Sequence, residues 1–199
     1  MRRFAGLALL IAAGCSGGKG AANAAIEAAD QAVATLPADA VKVAPEEAAP
    51  ILDAVNTAKQ ERDKGDFELA VAAVKDVPGR VSALAAQLPV KRTQITAVMD
   101  TLQVAMPRNL AAIKAKLDQA ERTKKLPAGV DAQELQAAKE TYATAMTEWD
   151  NILAAYKAGD LASARTKSME LKARVSQTLV TLGLVSDERA WSNATPPPA

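Results

Sequence analysis

The chain has no histidine among its 199 residues. Without an imidazole there is no Ser-His-Asp or Cys-His couple and no imidazole metal ligand. Haem attachment through C-x-x-C-H and zinc binding through H-E-x-x-H are excluded with it. A single cysteine, Cys15, leaves no internal disulfide and no cysteine pair for zinc. Aromatic side chains are scarce: Phe4, Phe67, Tyr142, Trp149, Tyr156 and Trp191, of which the first and last lie near the chain ends. No stacking platform for bases or sugars follows from so few rings. Charge of one sign is also missing, with 24 basic against 23 acidic residues, so no basic field would draw nucleic acid. Carboxylate chemistry alone survives, and no spacing singles out a pair for it. The expectation is a protein that is not an enzyme and has no cofactor, no metal and no nucleic-acid partner.

The apolar run Phe4 to Ala13 is too short to span a hydrocarbon core, which takes roughly twenty residues in a helix. It follows Met1-Arg2-Arg3 and ends in the small residues Ala12-Ala13-Gly14 directly before Cys15. A positive start, an apolar stretch and a small-residue cleavage site are the parts of a secretory signal. With the lone cysteine at the cut, the segment resembles the lipobox of bacterial lipoproteins, although Ala12 stands where that motif usually has leucine. The resemblance implies cleavage before Cys15, a diacylglyceryl thioether on its sulfur and acylation of the new N-terminus. An ordinary cleaved signal, or a short N-terminal helix with an inert thiol, is the alternative. Ser16, rather than aspartate, follows the cysteine, which by the same resemblance sorts the protein to the periplasmic face of the outer membrane over the inner membrane. The expected partition is a signal peptide at 1–14, a lipidated cysteine with a Gly/Ser tether at 15–21, a helical domain at 22–185 and a disordered tail at 186–199. Loss of Arg2 and Arg3 with the leader leaves 22 basic against 23 acidic residues, a net charge of −1.

What is abundant is alanine, with leucine, lysine, glutamate and glutamine, all strong helix formers. No alternating β-branched run appears, so the fold class is all-α: an elongated antiparallel bundle of five to six helices. Helical periodicity predicts a first helix over 22–36, a second from Pro45 or Pro50 to Gly65, and a third from Asp66. Pro78-Gly79 should interrupt the third and Pro89 should end it. A long fourth helix over 90–124 keeps one apolar phase through Pro107, from Ile95 and Met99 to Ile113 and Leu117. Asp131-Ala132-Gln133-Glu134 reads as a capping box opening the fifth, and Gly159-Asp160 as the turn into the last.

Lys64-Gly65-Asp66-Phe67 and Ala158-Gly159-Asp160-Leu161 are alike at an offset of 94 residues, as are Arg80-Val81-Ser82 and Arg174-Val175-Ser176. Duplicated helical hairpins and convergence on a common turn both explain this. The turn also occurs in tetratricopeptide repeats, but the small position of their ~34-residue period is Ala58 in one copy and Ile152 in the other. The segment 22–88, and more weakly 131–182, resembles an uncharacterised helical domain of envelope lipoproteins. That likeness rests on an Ala-rich first helix, Ala44-Pro45 before the second and the Gly65-Asp66-Phe67 turn. It implies a membrane-anchored helical module without a known reaction.

Other candidate residues have a plain reading. Glu46-Glu47 diverge around a helix and suit its first turn; Glu61, Asp63 and Asp66 mingle with Arg62 and Lys64; Lys124-Lys125 suit a helix C-terminus. Tyr142, Trp149 and Tyr156 share one face at seven-residue spacing. They are either core, filling space that facing alanines leave, or the lining of a groove for an apolar ligand or partner helix. The function expected is a lipid-anchored periplasmic scaffold or protein-interaction module. It would bind the membrane through its anchor and dock an envelope protein or a second copy. The alternative is a binder of a small apolar or cell-wall ligand in the bundle core.

Overall fold

The computed structural model describes residues 18–184 and Trp191. These form an all-α helical bundle with no strand among the described residues. The helices are α1 (Lys19–Ala34), the single turn α2 (Ala40–Val43), α3 (Pro45–Lys64), α4 (Phe67–Val74), α5 (Val77–Thr123), α6 (Ala132–Lys157) and α7 (Leu161–Thr181). The chain divides into two compact units. The described part of unit 1 comprises residues 18–36 and 49–83; that of unit 2 comprises 37–48, 84–184 and Trp191.

Unit 1 buries Ala22, Ile26 and Ala29 of α1, Ile51, Val55 and Ala58 of α3, and Ala70 and Val74 of α4. Helix α1 packs on α4. Ala22, Ala29, Ala58 and Ala70 have no exposed surface at all, and such small side chains let helix axes approach to about 8 Å. Lys59 reaches from α3 to Asp30 of α1 at 2.8 Å, an exposed pair that contributes at most about 1 kcal/mol.

Unit 2 buries a continuous α5 stripe that includes Ile95, Met99, Leu102, Met106, Leu110, Ile113 and Leu117. In the same unit α6 and α7 form an antiparallel hairpin that buries Ala145, Trp149 and Ile152 from one side and Leu171, Val175 and Leu179 from the other. Asn109 lies on the buried side of α5, 5% exposed, with its Nδ2 unpaired.

The punctuation of the helices follows local chemistry. Gly65, Gly159 and Gly183 take φ of +92°, +78° and +65°, the left-handed region that costs other residues about 1 kcal/mol or more. At each, paired backbone bonds close the preceding helix, as in Asp66 N–H to Glu61 O at 2.9 Å and Asp160 N–H to Ala155 O at 3.0 Å. Asp131 accepts from the Glu134 N–H at 2.8 Å while the Glu134 carboxylate accepts from the Asp131 N–H at 2.9 Å, the expected capping box.

Two helix ends differ from expectation. The break before α5 falls at Lys75 and Asp76, so Pro78 sits in a first turn, where its missing N–H costs nothing. Pro89 does not end a helix; α5 runs through both Pro89 and Pro107. An interior proline costs about 3 kcal/mol. Here both prolines lie on the exposed side, where water can solvate the carbonyls they orphan. Burial of Leu84 and Leu88 before Pro89, and of Ile95 and Met99 after it, in one helical phase offsets that cost. The segment 37–44 between α1 and α3 holds one helical turn, α2, lying against α7, because Ala40 and Val43 bury there.

Candidate functional site

Among the described residues no group of three or more His, Cys, Asp or Glu side chains is arranged to hold a metal ion. Of the acidic residues singled out by sequence, Glu47, Glu61 and Asp63 are paired with cations. Glu47, in the first turn of α3, accepts a hydrogen bond from the Lys91 ammonium of α5 at 2.5 Å. That bond holds its carboxyl below the ordinary carboxylate value against a small opposing effect of burial. Asp39, just before α2, accepts from both Nε and Nη2 of Arg92 at 3.2 and 2.6 Å. Glu61 accepts from Lys64 and Asp63 from Arg62, within α3. Together Glu47–Lys91 and Asp39–Arg92 fix the segment around α2 to α5 inside unit 2. Beside the first pair lies a cleft of about 280 Å³, which Glu46, Gln94, Arg165 and Thr166 also line.

The aromatic face of α6 is divided. Trp149 is 5% exposed and shares the inward side of α6 with Ala145 and Ile152, whereas Tyr142 and Tyr156 are half-buried. The indole therefore fills space beside Ala145, a position with no side chain beyond Cβ. Its burial favours core over groove for that residue.

A second indole occupies a place that helical periodicity did not reveal. Trp191, in the segment expected to be a tail, is 5% exposed on α7. Its Nε1–H donates to Ser176 Oγ at 2.8 Å, and the Lys172 ammonium sits 5.3 Å from the ring centroid. A buried indole N–H needs an acceptor, and Ser176, itself buried, supplies one. Lys172 adds a cation–π attraction of roughly 0.5–1 kcal/mol at a partly exposed position. Next to the ring, Met169, Ala173 and Val180 complete a shallow cleft of about 450 Å³. Met169 and Val180 are about half exposed. The signal for this contact was present as a lone large ring among small polar and proline residues, which has no solvent-side reason to be there.

Cys15, the expected lipidation site, lies outside the described residues, as do the leader and every tail residue except Trp191. No described helix is long and apolar enough to cross a membrane. No family model matches the chain, and no curated protein or solved structure is significantly similar to it.

Proposed function

We propose that the chain is a lipid-anchored helical scaffold, or protein-interaction module, of the bacterial envelope. Cys15 would moor it to the periplasmic face of the outer membrane, and it would act through protein contacts and not through catalysis. The observation that carries this reading is the order of the first fifteen residues, a positive start, an apolar run and small residues before the only cysteine. One acyl chain binds a membrane marginally and two or more bind it stably, so a thioether-linked diacylglyceryl group would suffice for anchoring. The helical bundle is the kind of body such an anchor serves. Val90 and Val104, 57% and 61% exposed and fourteen residues apart on α5, give a partner two apolar contacts in one heptad register. Cells expressing Cys15→Ser should release the protein from membranes into the periplasmic fraction. Recovery of that variant with membranes after a high-salt wash would contradict the anchor. Photocrosslinkers at Val90 or Val104 should trap a specific adduct in cells.

The second reading, a small apolar or cell-wall ligand, gains more from the cleft beside Trp191 than from the α6 face where Trp149 is buried. A rise in Tm with lipid or peptidoglycan fragments, abolished by Trp191→Ala, would favour it over the first.

A further inference from the structure

The first described residue is held in place. Gly18, the N-cap of α1, lies so close to Phe67 that a Cβ added there would come within 3.0 Å of the Phe67 Cβ and 3.4 Å of ring atom Cδ2. Only a residue without a side chain allows this approach without a shift. Phe67 is the first residue of α4 and follows the Gly65-Asp66 turn that ends α3. The contact thus gathers the start of α1, the end of α3 and the start of α4 at one end of unit 1. Cys15 stands three residues before Gly18 in the chain. At 3.3–3.6 Å per residue, three residues reach at most about 11 Å. The tether expected over residues 15–21 is therefore cut short, because α1 already begins at Lys19.

We propose that the lipid surface itself is the partner of this end of unit 1. Resting on the anchored reading of Cys15, the geometry points to the α3–α4 turn lying against the membrane, with Leu69 at the interface. Leu69, in the first turn of α4, is 59% exposed. Side chains on a helix tilt toward its N-terminus, which is the end that carries the anchor. Phe67 is half-buried beside it. The first-turn amides Phe67, Glu68 and Leu69 precede the first helical bond of α4, Ala70 N–H to Asp66 O, and the Asp66 side chain caps none of them. Exposed in water, these amides exchange fast; against a lipid surface they would not. The charged side chains around the turn, Lys19, Glu61, Arg62, Asp63, Lys64, Asp66 and Glu68, sum to −1, so no basic cluster draws this end to anionic headgroups.

The test is amide hydrogen exchange on membrane-extracted protein reconstituted into phosphatidylcholine vesicles, compared with Cys15→Ser in solution. The expected result is about tenfold slower exchange at Glu68 and Leu69. Thr35, at the far end of α1 and about 24 Å along it, should not change. Adding phosphatidylglycerol to the vesicles should leave the pattern as it is. Inserting about ten Gly/Ser residues between Ser16 and Gly17 should keep the protein on the vesicles and abolish the protection, since the coil then spans roughly 17 Å or more. Leu69→Asp, at an exposed position that folding does not need, should reduce it. Protein that carries the lipid and floats with vesicles, yet shows no protection at 67–69 or equal protection at Thr35, overturns this orientation alone. Protein whose mass lacks the lipid overturns the anchor, and this inference with it.

Discussion

The two Gly-Asp hairpins, one turning at Gly65 and the other at Gly159, share a burial register and differ at five of the seven buried positions that fill it. Ala70, Val74, Val77 and Val81 are buried after the first turn; Ala164, Ser168, Leu171 and Val175 are buried at the same steps after the second. Before the turns, Ile51, Val55 and Ala58 correspond to Ala145, Trp149 and Ile152. The left-handed glycine fixes where the second helix begins, and a period of 3.6 residues dictates which later positions face inward. The register survives in unit 1 although α4 stops at Val74 and a new helix starts at Val77, while α7 runs unbroken. Phase is therefore set at the turn and by burial, not by helix continuity. Volume is redistributed: isoleucine and alanine exchange places across the two hairpins, and an indole replaces a valine. That shared register is what any pair of hairpins with this turn would show, so it fits duplication and convergence alike.

Substitutions at corresponding positions sharpen the comparison, beginning with the core. Trp149→Ala should lower stability by about 3–5 kcal/mol, whereas Val55→Ala, its counterpart, should cost roughly 1–3 kcal/mol. Chemical denaturation of the two variants reads the difference; equal losses would mean that Trp149 is not packed as described. At the turns the hairpins should instead behave alike. Gly65→Ala and Gly159→Ala meet no atom within 4 Å, so each should cost only the strain of a positive φ, about 1–2 kcal/mol.

Capping separates them again. The Asp160 side chain accepts from the Ser163 N–H at 3.3 Å, and Asp66 makes no such bond. Asp160→Ala should destabilise by about 0.5–1 kcal/mol and Asp66→Ala by a few tenths, measured by thermal unfolding. The smallest effect concerns pH. Glu47 has a lowered pKa in the folded state, so its bond to Lys91 stabilises above the ordinary value of 4.5 and is lost as pH falls through the lowered one. With the Glu47 side chain 42% exposed, the contribution should stay below about 0.5 kcal/mol and vanish in Glu47→Gln.

How much of this was legible beforehand depends on the kind of signal. Helix-forming composition, the glycine turns and the Asp131-Glu134 capping box are local, and each stands where its residues put it. Pro89 misled because a proline is a local breaker, while the burial that overrides it is distributed over residues up to ten positions away on either side. Asp66 looks like a cap as much as Asp160 does, but side-chain reach to a backbone N–H is decided by rotamer and not by residue type. The division into two units left no mark in sequence, since α3 and α5 each contribute residues to both. Trp191 escaped periodicity because a single docked ring has no period.

The central claim concerns the sulfur of Cys15, and the intact mass of protein extracted from membranes tests it most directly. The account predicts a chain that begins at Cys15, without residues 1–14, carrying a thioether-linked diacylglyceryl group and an N-terminal acyl chain. A polypeptide of unmodified mass with a free Cys15 thiol would contradict it.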